Sequence, residues 1–197
     1  MLKLYYTPKT SAFRCRWLLE ELGEPFDLVR VDFARREHKT PEYLKVHPLG
    51  SVPALQDGEQ VILESAAILM YLADRGPGLR FAPALNSPER GAYYQWIMFG
   101  MTNLNEAIHG PYLRYYMRGE TASAAEREAL ARLLALSDER LTSGPYLLGA
   151  QFTAADVVLG ALLVWAEACG LLLGREPQSS YLERLRERPA FVRASQD

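Results

Sequence analysis

The chain has 197 residues, 49% apolar and 23% charged, with 22 Lys+Arg against 24 Asp+Glu and a net charge of −2. That length suits one large domain or two small ones with a real core, and the even charge offers no footprint for nucleic acid or an anionic membrane. Two cysteines, Cys15 and Cys169, cannot build a disulfide framework. Three histidines (His38, His47, His109) lack zinc spacing, so no metal is expected. The opening MLKLYYTPKT has no apolar signal core, and no run approaches ~18 apolar residues, so a cytoplasmic protein without a membrane span is expected.

Leu2–Tyr6 reads as a buried strand stopped by Thr7-Pro8. Ser11–Leu22 has helical spacing, with Phe13, Trp17, Leu18 and Leu22 on one side and Gly23 where a C-terminal glycine belongs. Asp27–Phe33 returns to strand character, which makes a βαβ unit with a parallel pair. After the polar stretch Ala34–Lys45, Pro53–Gln56 and Gln60–Leu63 read as a hairpin around Asp57-Gly58. Glu64-Ser65 then opens a helix over Ala66–Asp74. Gly76-Pro77-Gly78 breaks the pattern, and Ser87-Pro88 restarts it with a helix cap. From there only helices are expected: Glu89 to about Tyr116, Ala124–Leu141, Ala154–Cys169 and Tyr181–Arg188. Ser123 with Glu126, and Thr153 with Asp156, have capping-box spacing. The organisation is a small α/β domain (1–78), a linker (79–88) and an all-α domain (89–197).

Four places carry candidate chemistry. In Ser51-Val52-Pro53-Ala54-Leu55 a proline enters a strand without an N–H to give the ladder. A cis Val52–Pro53 bond would leave the Val52 backbone free for an extended ligand; a trans proline at the strand's first residue is the commoner alternative. At Glu64-Ser65 a helix N-terminus and a hydroxyl suit a carboxylate, and the Glu64 carboxylate suits an ammonium group; alternatively Ser65 only caps its helix. Thr7-Pro8-Lys9-Thr10-Ser11 places hydroxyls at another helix start, able to stabilise a thiolate or simply to cap. His38-Lys39 offers cations to an anion or to solvent. No serine lies in a Gly-x-Ser-x-Gly elbow, no Cys-x-x-Cys exists, and Cys15 reads as a small buried hydrophobe. The tyrosines and other aromatics between Tyr93 and Tyr116 are either helix core or the wall of an apolar pocket.

In order along the chain, the first strand, the hydroxyl loop, RCRWLLEELG, EHKTPEYLKVHPLGSVPAL, DGEQVILESAAILMYLAD and FTAADVVLGALLVWA together resemble a glutathione S-transferase. The resemblance spans essentially the whole chain and has features of the plant phi and bacterial beta types. It implies a thioredoxin-like N-terminal domain followed by an all-α domain. It also implies a glutathione transferase that conjugates glutathione to small apolar electrophiles in detoxification, as a homodimer and without a metal. On that basis Pro53 is the cis-proline and the Val52 backbone pairs with the cysteinyl part of glutathione. Glu64 and Ser65 hold the γ-glutamyl end, while His38 and Lys39 match phi-type positions that reach the glycyl carboxylate. Thr153 and Asp156 match the capping box of the buried helix.

For the activating hydroxyl the resemblance ranks Ser11 first, where phi-type enzymes have serine and beta-type enzymes cysteine, then Thr10, then Tyr6. Ala12 follows Ser11 where phi-type enzymes commonly have proline. By position, Met98, Thr102, Asn105, Tyr112 and Tyr116 would line the electrophile's side. Two alternatives stand beside this reading. One is a glutathione-dependent isomerase or reductase, against which Thr10-Ser11-Ala12 replaces the zeta-type Ser-Ser-Cys. The other is a non-catalytic protein-binding module, which loss of Glu64-Ser65 or of His38-Lys39 would favour; both pairs are present.

Overall fold

The computed structural model describes residues 1–75 and 80–196; the Gly76-Pro77-Gly78 break lies outside them. The chain forms two compact units, one of Met1–Arg75 joined by the segment from Pro189 onward, the other ending at Arg188.

The first unit is built on strands β1 (Leu2–Tyr6), β2 (Phe26–Arg30), β3 (Ala54–Asp57) and β4 (Gln60–Leu63), in the order β2-β1-β3-β4. The β1–β2 pair is parallel, as the βαβ pattern requires, and β3 and β4 are antiparallel neighbours around the Asp57-Gly58 turn. Period-2 alternation sends Leu2 and Leu4 to the face covered by α1 (Ala12–Leu22) and α3 (Ser65–Asp74), where Cys15, Leu18, Leu19, Ile68, Leu69 and Leu72 are buried. Tyr5 points to the other face and packs with Val31, Tyr43, Val46 and Val52. β2 ends three residues before the expected Phe33, because the Asp32 carboxylate accepts from the N–H groups of Ala34 and Arg35 (2.8 and 3.1 Å) and turns the chain.

The polar stretch Ala34–Lys45, to which the sequence assigns no element, contains a 3₁₀ turn (Glu37–Lys39) and most of a six-residue helix, α2 (Pro41–Val46). Thr40 caps α2 by accepting from the Tyr43 N–H at 3.3 Å, and Pro41 opens it. A last short helix, α9 (Pro189–Ala194), belongs to this unit. The Phe191 ring meets Phe13 and Trp17 of α1 edge-on at 5.5 and 4.9 Å, and Arg193 pairs with Glu20 at 2.7 Å. The sequence reading groups these residues with the helical domain, since six residues carry too little periodicity to show which unit buries them.

The second unit contains α4 (Glu89–Phe99), α5 (Asn105–Arg118), α6 (Ala124–Ser143), α7 (Ala154–Ala168) and α8 (Gln178–Arg186). The helix expected from Glu89 to about Tyr116 is interrupted by a π-helical turn over Gly100–Leu104. A Cβ on Gly100 would lie 2.5 Å from the Val158 side chain, so glycine lets this turn approach α7 closely. Almost every residue of α7 is buried, and both expected capping boxes are formed. The buried Asp156 carboxylate accepts from the N–H groups of Leu147 and Thr153 and from the hydroxyls of Thr153 and Tyr181 (2.8–3.0 Å).

Candidate functional site

Sheet topology collects the candidate residues. β1 and β2 end, β3 begins and β4 ends at the same edge, since Tyr6 pairs with Arg30, Tyr5 with Ala54, and Ala54 with Leu63. The hydroxyl loop, the segment carrying His38 and Lys39, Ser51–Pro53, and Glu64-Ser65 therefore all emerge at one end of one sheet. The Val52–Pro53 peptide is cis, and so is Glu176–Pro177.

At the start of α1 the two adjacent hydroxyls do different work. Thr10 donates to the Thr7 carbonyl at 2.7 Å and accepts from the Ala12 N–H at 3.3 Å, so it fills the capping role. The Ser11 side chain makes no capping bond; its hydroxyl turns to the Val52 carbonyl at 3.5 Å. Ser11 and Val52, 41 residues apart in sequence, thus meet. Tyr6 ends β1 with the Arg16 guanidinium 5.8 Å from its ring centre. Cys15, one turn into α1, is fully buried, its thiol donates to the Ser65 carbonyl at 3.7 Å, and burial pushes its pKa up to about 12. Such a thiol stays protonated and is not a nucleophile.

At the start of α3, Glu64 holds a positive φ (67°, with ψ 117°), a strained state for a non-glycine residue. Its side chain does not cap the helix, and Ser65, although only 4% exposed, has no hydroxyl partner among the described residues. The Glu64 side chain takes none of the first N–H groups of α3, which leaves them available to an anion. His47 lies behind this corner with Nδ1 buried and unpartnered among the described residues. Burial moves its pKa down, against an upward pull from Glu64. His47 is absent from the candidates read from sequence, where it looks like an ordinary residue before a proline.

His38 stacks against Phe33 at 4.3 Å, and Lys39 Nζ donates to the Leu49 carbonyl at 3.3 Å. Gly50 locks this corner: its φ is +59°, and a Cβ there would lie 2.3 Å from the His38 carbonyl oxygen and 3.0 Å from Lys39 Nζ.

In the second unit, Met98 is exposed on α4. The Thr102 hydroxyl is taken up by the Met98 carbonyl (2.8 Å) and Asn103 (2.9 Å) on the π-helical turn, and the half-buried Asn105 opens α5. Tyr112 is buried and stacks on Trp165 of α7 at 4.7 Å and 9°, and Tyr116, 57% exposed, stacks on Tyr112 at 6.4 Å. His109 joins the same ladder, 6.0 Å from Trp165. Sequence reasoning missed His109 and Trp165, although His109, Tyr112 and Tyr116 share one helix face by their spacing. Among the described residues no group of three or more His, Cys, Asp and Glu side chains is placed to hold a metal, and no helix is long and apolar enough to cross a membrane.

The family models that match are the N-terminal domain of glutathione S-transferases, over residues 1–74, and their C-terminal domain, over residues 120–194. Glutathione S-transferase GstA of Escherichia coli O157:H7 is 32% identical, over 95% of this chain and 94% of its own. The glutathione transferase of Methylococcus capsulatus has the same fold (TM-score 0.83) at 34% identity, covering 99% of this chain and 97% of the other. A family member from Pseudomonas fluorescens, solved with two glutathione bound, aligns with a TM-score of 0.84 at 25% identity, covering 98% and 92%. With both domain types matched in order and a relative similar from end to end, the chain belongs to the glutathione S-transferase family of enzymes.

Proposed function

We propose that this chain binds glutathione at the sheet end described above and holds its thiol as a thiolate, through the Ser11 hydroxyl, for attack on a small apolar electrophile. In this reading Glu64 takes the γ-glutamyl ammonium and Ser65, with the α3 N-terminus, its carboxylate. The Val52 backbone pairs with the cysteinyl residue, and His38 and Lys39 reach the glycyl carboxylate. The observation that carries it is that Ser11, before α1, does not cap its helix and shares one sheet end with the buried Ser65 that opens α3, whose cap residue Glu64 also makes no capping bond. Thr10 is less suited, since its hydroxyl is held by a short 2.7 Å bond to the Thr7 carbonyl and accepts from the Ala12 N–H, whereas the Ser11 hydroxyl donates to the Val52 carbonyl only at 3.5 Å, a long bond that a thiolate acceptor can replace. The residues proposed for the electrophile's side, Met98, Thr102, Asn105, Tyr112 and Tyr116, belong to the second unit, whose aromatic ladder ends in the exposed Tyr116 ring.

The energetics suffice. A thiol with a pKa near ~8.5 is only a few per cent ionised at neutral pH, and lowering it by ~2 units takes about 2.7 kcal/mol. A hydrogen bond from a hydroxyl to a charged acceptor supplies roughly 1.5–3 kcal/mol. A partly buried helix N-terminus adds up to ~2. The proton leaves to solvent, the sulfur lone pair forms the new S–C bond, and the electrophile releases its leaving group or takes up a proton at the opened position. A thiol-reducing role is disfavoured, since Ser11 stands at the beta-type cysteine position and the Cys15 thiol, at about 12, is inert.

Calorimetric titration with glutathione tests the site. Wild type is expected to bind in the micromolar to millimolar range and Ser65→Ala about tenfold more weakly, the loss of a hydrogen bond to a charged group. Ser11→Ala is expected to keep binding but raise the pKa of bound thiol, read by thiolate absorbance. An unchanged titration there moves the role to Thr10 or Tyr6, and absence of binding by wild type removes the reading.

A further inference from the structure

Tyr43, on the short helix α2, is 7% exposed, and its hydroxyl donates to the Ser51 carbonyl at 2.6 Å. The ring is held in the cluster of Val31, Val46 and Val52, with Tyr5 against it edge-on at 5.8 Å. Filling that cluster needs only the ring, and phenylalanine would serve. The hydroxyl adds something else. A peptide unit is planar, so fixing the direction of the Ser51 carbonyl also fixes the direction of the N–H at the other end of the same unit, which belongs to Val52. On the far side of Val52, the next carbonyl is met by Ser11 at 3.5 Å. The Ser51 carbonyl is therefore held from α2 by a short bond, while the Val52 carbonyl has only the long, replaceable contact from Ser11. Burial holds the phenol's pKa at about 12, so it remains a donor throughout the neutral range.

We infer that Tyr43 is a positioning residue, which aims the Val52 N–H at the ligand's extended backbone by pinning the Ser51 carbonyl. The inference rests on the glutathione reading above. It makes α2 part of the site's support, and it separates two tasks: Tyr43 governs how tightly the tripeptide backbone is held, and Ser11 governs the state of its sulfur.

The test is calorimetry of wild type, Tyr43→Phe, Tyr5→Phe and Ser65→Ala with glutathione and with S-methylglutathione, which lacks the thiol. Tyr43→Phe is expected to weaken both ligands about 3- to 10-fold, the worth of one neutral hydrogen bond. The bound thiol's absorbance titration should stay at the wild-type midpoint, so in turnover KM for glutathione rises and kcat does not. Tyr5→Phe removes the other phenol of the pair, which donates to Gln56 at 3.1 Å and not to Ser51, and should change affinity less than about twofold, well inside the effect of a lost hydrogen bond. Equal weakening by both variants would mean general loosening of the cluster and overturns the inference. So does weakening by Ser65→Ala with none by Tyr43→Phe, and in that case the glutathione reading survives. Wild type binding neither ligand overturns both.

Discussion

Gly50 tests whether the basic corner is a built feature. It needs a left-handed backbone, and an added methyl would collide with the His38 carbonyl, which belongs to the main chain and cannot swing away. Gly58 has nearly the same φ, +60°, but nothing within 4 Å of its missing Cβ. Gly58→Ala should therefore cost only the left-handed penalty, about 1 kcal/mol. Gly50→Ala should cost about 2–4 kcal/mol, because the loop carrying His38 and Lys39 must move as well. Denaturant titration of the two variants decides it, and equal losses would show that the close approach is unimportant. At this scale the sequence separated residue types but not their duties. The resemblance ranks Ser11 ahead of Thr10, but the residues alone do not separate the duties of two adjacent hydroxyls. Only the fold shows that one is consumed by its own loop and the other faces a carbonyl brought from residue 52. Tyr43 and His47 were silent for the same reason, since what matters about each is set by residues distant in sequence or by burial.

Elements with a strong local signal were legible: the βαβ order, the Asp57-Gly58 hairpin and both capping boxes all rest on short-range stereochemistry. The short helix α2 was hidden because its cap, Thr40-Pro41, lies within a charged stretch, and six residues complete fewer than two turns. The π-helical turn was hidden because what marks it, the close approach of Gly100 to Val158 of α7, joins residues far apart in sequence. The cap of α6 has a pH signature. Glu126 accepts from the Ser123 N–H at 2.8 Å and pairs with Arg114 at 2.5 Å, and these partners hold its carboxyl down from the ordinary 4.5 to about 2. A carboxyl whose folded pKa is depressed contributes stability above its unfolded value and loses it as pH falls through the folded one. The contribution should thus be complete above about pH 4.5 and vanish toward pH 2. Its side chain is 31% exposed, so solvent screening reduces the gain to about 1–2 kcal/mol. Glu126→Gln keeps the box geometry without the charge, and should flatten the fall in unfolding free energy across that window. An unaltered slope would assign the acid sensitivity to other carboxylates.

The chain as a whole does not stop at its helical unit; it returns to the first one. Six residues cannot hold a helix in water, so α9 exists because α1 gives it a surface. Phe191 supplies the ring that covers Phe13 and Trp17, while Arg193 reaches the Glu20 carboxylate and carbonyl, and Arg16 returns a hydrogen bond to the Arg193 carbonyl at 3.2 Å. Helix α1 is also the element that begins beside Ser11, so the last residues of the chain support the helix on which the proposed thiolate chemistry depends. Phe191→Ala should cost about 3–5 kcal/mol by emptying a buried aromatic contact. Amide hydrogen exchange gives the sharper readout, because it reports local opening region by region. Exchange should accelerate across β1 and α1 while α7, with its own buried capping box around Asp156, stays at the wild-type rate. If both units instead accelerate together, α9 stabilises the molecule as one cooperative body and the support of α1 is not local. If neither changes, α1 is held by α3 and the sheet alone, and the C-terminal helix is a passenger on its surface.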